Sequence, residues 1–78
     1  MTEIAISSDF WAGRMLPEGI LERWRVPEGS FVEKGAVVAE VRIEDALHEL
    51  TAPVRGRLVT LVKVNDVVEP GSVIGRVG

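Results

Sequence analysis

Four side chains that could bind a ligand or carry a covalent group lie close together between residues 44 and 49 of this 78-residue chain. Glu44, Asp45 and Glu49 are carboxylates, and His48 is the only histidine of the chain. Neighbouring carboxylates can bind a hard cation, and a histidine can act as a nucleophile that carries a phosphoryl group. No calcium-loop pattern surrounds the acids, and no second histidine assists His48. We therefore favour a solvated acidic turn over a metal site or a phosphocarrier.

Only two side chains, Lys34 and Lys63, carry an amine that could accept a covalent group. Lys34 belongs to a Glu-Lys-Gly turn and Lys63 lies at the end of a predicted strand, and we expect neither to be modified. The chain has no cysteine, so it has no disulfide, thiolate metal site or catalytic thiol. It also lacks phosphate-loop and nucleophile-turn motifs. We expect no enzymatic activity, no catalytic residue and no metal site.

The length and charge of the chain exclude several classes of protein. We expect one domain over residues 1–78. This length is near the lower limit at which a domain can bury an adequate core without disulfides or a bound metal. A net charge of −3 argues against broad binding to phosphate backbones, which requires a positive surface. No apolar run approaches the roughly 20 residues of a membrane span, and the N-terminus lacks the pattern of a secretory signal. These features predict a soluble, cytoplasmic protein without nucleic-acid or membrane partners.

The composition predicts an all-β fold. Valine and isoleucine together fill eighteen positions, and β-branched residues favour strands over helices. Glycine and proline divide the chain into segments too short for the apolar periodicity of a helix. The predicted strands cover residues 2–6, 19–25, 36–43, 47–51, 57–63 and 73–77, with short extended pieces at 31–32 and 67–68.

An internal repeat relates two halves of the chain. Residues 31–41 resemble residues 67–77 at an offset of 36, with a shared Val-Glu-x-Gly core, and residues 19–21 loosely resemble 56–58. Chance similarity among valine-rich strands is the alternative. Because neither half could cover its own apolar face, the repeat predicts two halves related by an approximate twofold. The expected fold is a flattened β-barrel or sandwich of two small antiparallel sheets.

The most informative segment is the predicted hairpin of residues 37–51. Alternation places Val37, Ala39, Val41 and Ile43 on a buried face and leaves Glu40 and Arg42 on the other. After the turn at residues 44–46, His48 shares the parity of Leu50. Aspartate suits a turn because its carboxylate can accept nearby backbone N–H bonds. A helix over residues 44–50 is the structural alternative.

Residues 17–77, and more weakly the chain from Glu3, resemble a biotinyl/lipoyl attachment domain of the lipoyl type. The motifs that carry the resemblance are residues 18–24 (EGILERW), 27–35 (PEGSFVEKG), 41–53 (VRIEDALHELTAP), 52–56 (APVRG) and 69–74 (EPGSVI). Glu44 and Ala46 flank the position of the family's acceptor lysine as in lipoyl domains, whereas biotin carriers have methionines there. This chain has Asp45 at that position. A carboxylate cannot form the lysyl amide that holds the cofactor.

The resemblance also implies a partner and a second contact region. Lipoyl domains carry acyl groups between components of 2-oxo acid dehydrogenase complexes, and the loop after their first strand helps a dehydrogenase recognise them. Here that loop is residues 7–15, and Phe10, Trp11 and Asp45 are the candidate partner contacts. The alternative for the two aromatic side chains is that they cover apolar surface of the domain.

The leading hypothesis is thus a nonenzymatic lipoyl-like module that binds a protein, perhaps a 2-oxo acid dehydrogenase component, and carries no cofactor. The alternative is a working lipoate or biotin carrier, modified at an unexpected lysine or altered at Asp45.

Overall fold

Valine-rich segments separated by glycine turns form eight strands in the computed structural model, which describes residues 1–78. The strands are β1 (Thr2–Ala5), β2 (Gly19–Trp24), β3 (Phe31–Val32), β4 (Val37–Ile43), β5 (Ala46–Thr51), β6 (Gly56–Thr60), β7 (Val67–Val68) and β8 (Val73–Val77). The one helical element is a 3₁₀ helix, Ser8–Trp11. The all-β prediction is confirmed, and each predicted strand lies within three residues of the observed one at either end. No helix has the length and apolar character needed to cross a membrane.

The strands form two antiparallel four-stranded sheets. One sheet has the order β1-β8-β6-β3 and the other β5-β4-β2-β7. The chain passes to the opposite sheet at every connection except the β4–β5 hairpin. Each sheet keeps two edge strands, so the molecule is a sandwich of open sheets and not a closed barrel. Fifteen buried apolar residues between the sheets form a single core cluster.

The internal repeat corresponds to a structural pseudo-twofold. Exchanging β3 with β7, β4 with β8, β2 with β6 and β5 with β1 converts the strand order of one sheet into that of the other. The turn glycines are equivalent, since Gly35 and Gly71 have φ values of 87° and 86°. Their N–H groups donate to equivalent carbonyls, Gly35 to Ala52 and Gly71 to Ile6. The repeat predicted from sequence is therefore a repeat of backbone geometry and hydrogen bonding.

The predicted alternation in β4 is wrong at its first half. The pairing with β5 shifts between Val37 and Ala39, as expected for a β-bulge, so Val38 is fully buried and Val37 only partly buried. Alternation resumes through Val41 and Ile43, which are buried as predicted. Arg42 is exposed, as predicted.

Glu40 is also buried, contrary to its predicted place on the solvent face. Arg25 donates a hydrogen bond of 2.8 Å to Glu40 Oε2, and Arg23 Nε lies 3.1 Å from Glu40 Oε1. Glu40 Oε1 has no hydrogen-bond partner, so its contact with Arg23 is an ion pair without a hydrogen bond. Glu40 thus follows the strand's outward parity and is covered by arginine side chains that alternation alone does not reveal.

Candidate functional site

The β4–β5 hairpin ends in a two-residue turn. Ile43 and Ala46 form its last cross-strand pair, which leaves Glu44 and Asp45 between the strands. Glu44 has a positive φ of 56°, and Asp45 is exposed at the tip. The hairpin interpretation is confirmed and the alternative helix over residues 44–50 is wrong. A positive φ at the first turn position follows the right-handed twist of the paired strands.

The loop between β1 and β2 packs against this turn. Ser7 caps the 3₁₀ helix by accepting a hydrogen bond from the N–H of Asp9, and Gly13 then reverses the chain with a φ of 77°. This path brings the N–H of Met15 to 3.2 Å from Glu44 Oε2. Arg14 Nη1 lies 3.5 Å from Glu44 Oε1. The Glu44 carboxylate is therefore engaged by the domain itself, whereas Asp45 makes no side-chain hydrogen bond or ion pair in the structure.

The two aromatic residues of the loop occupy different environments. Trp11 is 7% exposed and belongs to the core. Its ring lies so near Gly19 that a Cβ there would be 3.4 Å from Trp11 Cζ2 and 3.0 Å from Ile43 Cγ1, which explains the glycine. Phe10 is half-buried and stacks on His48, with ring centroids 4.8 Å apart and an interplanar angle of 13°. Trp11 thus packs in the core, which was the alternative to a partner contact, and Phe10 lies at the boundary between core and surface.

His48 lies at a partly covered position on β5, opposite Val41. Its Nε2 atom is buried and has no hydrogen-bond partner. A phosphocarrier histidine must present a ring nitrogen to the phosphodonor, so this placement does not favour that chemistry. The stacking on Phe10 indicates that His48 holds the loop against the hairpin.

The acidic side chains of the turn do not form a metal centre. No group of three or more histidine, cysteine, aspartate or glutamate residues is arranged to hold a metal ion. Glu44 is turned towards Arg14, and Glu49 lies 3.5 Å from the guanidinium of Arg25. Two of the three carboxylates are thus paired with different arginines, and Asp45 has no side-chain partner.

Neither lysine lies at the tip of the hairpin. Lys34 precedes β4 and therefore lies at the opposite end of that seven-residue strand from Asp45. Lys63 lies in the turn before β7, where Asn65 donates a hydrogen bond to the carbonyl of Leu21 beside the middle of β2. A lipoyl or biotinyl group is attached through a lysine amine, and the tip offers only a carboxylate. The residues present at the turn do not fit such a group.

A surface groove beside the hairpin was not anticipated from the sequence. We call it the side groove; its volume is about 260 Å³, and it is lined by Leu16, Glu18, Gly19, Ile20, Arg42, Glu44 and Val67. These residues come from the loop, three strands and the hairpin turn, so no local pattern connects them. The only signal in the sequence is that apolar residues occupy outward-facing strand positions such as Ile20.

An ion pair borders the side groove. Arg42 Nε donates a hydrogen bond of 3.0 Å to Glu22 Oε1 across β2 and β4. The bond lowers the pKa of Glu22 below its usual value, and Glu22 in turn raises the pKa of Arg42. Arg42 therefore stays positively charged, and Glu22 of the same domain already balances its charge.

Comparisons with known proteins agree with this geometry. The family model described as "Biotin-requiring enzyme", which represents biotin and lipoyl attachment domains, matches residues 11–77. No curated protein matches the chain significantly. The matched segment contains both halves of the repeat, the hairpin and most of the loop that packs on it.

Proposed function

This chain belongs to the biotinyl/lipoyl attachment domain family, and from that premise we propose that it is a nonenzymatic lipoyl-type module without the acceptor lysine. Members of the family are carrier modules of biotin- or lipoate-dependent enzymes and are not themselves catalytic. In this proposal the module binds a protein partner of a 2-oxo acid dehydrogenase-type system and carries neither lipoate nor biotin.

The observation that carries the proposal is the position of Asp45. It lies exposed at the tip of the two-residue turn, where a carrier of this family would present its amine. Carboxylate oxygens accept hydrogen bonds but cannot be acylated to a stable amide. The strands of the hairpin are paired up to the turn, so the hairpin forms without a lysine at residue 45.

The partner-binding residues we propose are Phe10, Trp11 and Asp45. Asp45 contributes an exposed negative charge, and Phe10 contributes the accessible part of its ring. Trp11 is buried, so its contribution is to hold the loop in position. This division of roles follows from exposure, because only exposed atoms can lose solvent on binding.

A working carrier is the second candidate. It is favoured by the exposed tip and the regular strand pairing up to Ile43 and Ala46, which leave the turn accessible to an attachment enzyme. In that case either residue 45 at this tip has been altered to aspartate, or the modified residue is Lys34 or Lys63, which are the only side-chain amines of the chain.

Intact mass spectrometry tests the two functions. The wild-type chain and Asp45→Lys are each expressed with a lipoylating and with a biotinylating enzyme. We expect no increment on the wild type and one lipoyl increment on Asp45→Lys, mapped to residue 45. Glu69→Lys, which adds an exposed lysine in a different turn, is the matched control and should remain unmodified. A cofactor increment on Lys34 or Lys63 of the wild type would establish the carrier function instead.

A further inference from the structure

The side groove has an apolar floor that is open to solvent. Leu16, Ile20 and Val67 line it, and Leu16 and Val67 are 60% and 61% exposed. Its volume of about 260 Å³ lies below the roughly 300–1,000 Å³ of small-molecule sites. An open groove of this size suits one or two side chains of a docked polypeptide.

The apolar floor continues as a row across the outer face of the sheet. Ile20 pairs with Val67 on one side and with Arg42 on the other, and Arg42 pairs with Leu47. Cross-strand partners project to the same face, so Val67, Ile20 and Leu47 are aligned with Arg42 between them. Met15, which is almost fully exposed, precedes Leu16 at the groove. A partner segment can therefore contact apolar side chains beyond the groove itself.

The charges around the side groove are unbalanced. Arg42 is paired with Glu22, and Arg14 is paired with Glu44. Glu18 lines the groove and Asp45 follows the lining residue Glu44 in the turn, and neither Glu18 nor Asp45 makes an ion pair. The charges of Arg14 and Arg42 are thus balanced within the domain, whereas the carboxylates of Glu18 and Asp45 are unpaired. Complementarity requires positive charge in whatever docks there.

We propose that the side groove binds an extended segment of a partner protein that carries a large apolar side chain next to a lysine or arginine. The apolar side chain packs against Leu16, Ile20 and Val67, and the cation lies beside Glu18 and Asp45. This inference rests on the proposed protein-binding function and names the chemistry of the partner. It adds a face of the sheet to the contacts at the hairpin tip.

A peptide titration followed by NMR of the isotope-labelled full chain tests the proposal. The probe is a synthetic peptide with one leucine flanked by lysines; its comparators have glutamates for the lysines, or glycine for the leucine. We expect saturable shifts at the amides of Leu16, Gly19, Ile20 and Val67 with the lysine peptide. Each comparator should bind at least about tenfold more weakly, because it loses either the apolar contact or the charge attraction.

Variants of the protein locate the site. Val67→Ser should weaken binding by about fivefold, and Glu18→Gln combined with Asp45→Asn by about threefold, as expected for exposed ion pairs. Leu61→Ser removes an exposed apolar side chain just after β6, outside the groove, and should leave binding unchanged. Val67 is exposed, so its replacement should also leave the melting temperature unchanged.

Three results would overturn the inference: no saturable shifts, equal binding of the glutamate peptide, or shifts outside the groove. Shifts of the same amides with protein concentration alone, without peptide, would show that a second copy of this chain fills the groove and would also overturn it. These outcomes are distinct from the test of function. A failed titration would overturn the peptide site but would not change the mass of the chain. A cofactor increment in the mass would overturn the proposed function but would not change whether the peptide binds.

Discussion

Glu44 and Asp45 are adjacent acidic residues with different parts in the turn. Glu44 accepts a hydrogen bond from Met15 N–H and pairs with Arg14, so it joins loop to hairpin. Its backbone has a left-handed φ of 56°, which is unfavourable for a residue with a Cβ. Asp45 has no such contact and is available to a partner. Glu44 therefore has a structural role in the turn, and the proposed binding role belongs to Asp45.

Substitutions at residue 44 should reveal the backbone strain. Glu44→Ala and Glu44→Gly both remove the carboxylate, but only glycine adopts positive φ without steric cost. We expect Glu44→Gly to be more stable than Glu44→Ala by about 1 kcal/mol in the free energy of unfolding, measured by denaturant titration. Asp45, whose φ is not positive, is the matched control, and there alanine should be the more stable replacement. Equal stability of the two residue-44 variants would contradict the expected strain.

The loop between β1 and β2 packs against the hairpin as one structural element. Trp11 anchors it in the core, Phe10 stacks on His48, and Arg14 reaches Glu44. These contacts fall on both strands of the hairpin and on the turn between them. The loop and the hairpin tip therefore form one preorganised surface, which would reduce the entropy lost on binding of the proposed partner.

Alanine replacements divide the loop into core and surface contributions. Trp11→Ala should lower the free energy of unfolding by about 3 kcal/mol, because it leaves a cavity beside Gly19 and Ile43. Phe10→Ala should cost about 1 kcal/mol through loss of the stacked pair with His48. Thermal unfolding of both variants checks the order. A Trp11→Ala variant as stable as the wild type would show that the indole is not part of the core.

At the scale of the whole molecule, carboxylates bridge separate segments of the sandwich. Thr60 donates side-chain and backbone hydrogen bonds to Glu28, which ties the β2–β3 connection to β6. These bonds lower the pKa of Glu28, the hydroxyl making the larger contribution, and Arg42 similarly lowers the pKa of Glu22. A depressed pKa means that the folded state binds the proton less tightly than the unfolded chain. The associated stability is complete above the usual value of 4.5 and is lost as the pH falls through the lower folded-state value.

The pH dependence of unfolding should therefore depend on these two residues. We expect the melting temperature of the wild type to fall as the pH decreases below 4.5, and the Glu22→Gln and Glu28→Gln double variant to show a smaller decrease. At neutral pH the double variant should be the less stable protein, and the two curves should converge in acid. Glu69→Gln, at an exposed turn carboxylate without a hydrogen bond, is the control. Parallel curves for the wild type and the double variant would contradict this linkage.

Local sequence was sufficient to predict most of the architecture. The β-branched composition, the glycine punctuation and the repeat at an offset of 36 predicted the strands and the two related halves. The same information placed Asp45 in a turn between paired strands. These features depend on side-chain type and on the spacing of nearby residues, which the sequence states directly.

The tertiary structure alone determined how distant residues share a surface. The bulge near Val38 changed the parity of β4, arginines from β2 and the residue after it covered Glu40, and the 3₁₀ helix directed Trp11 inward. The side groove likewise combines a loop with β2, β4 and β7. Each of these depends on strand register and on contacts between residues far apart in sequence. The turn that holds Asp45 could thus be predicted from the amino-acid sequence, whereas the groove beside it forms only once the strands have paired.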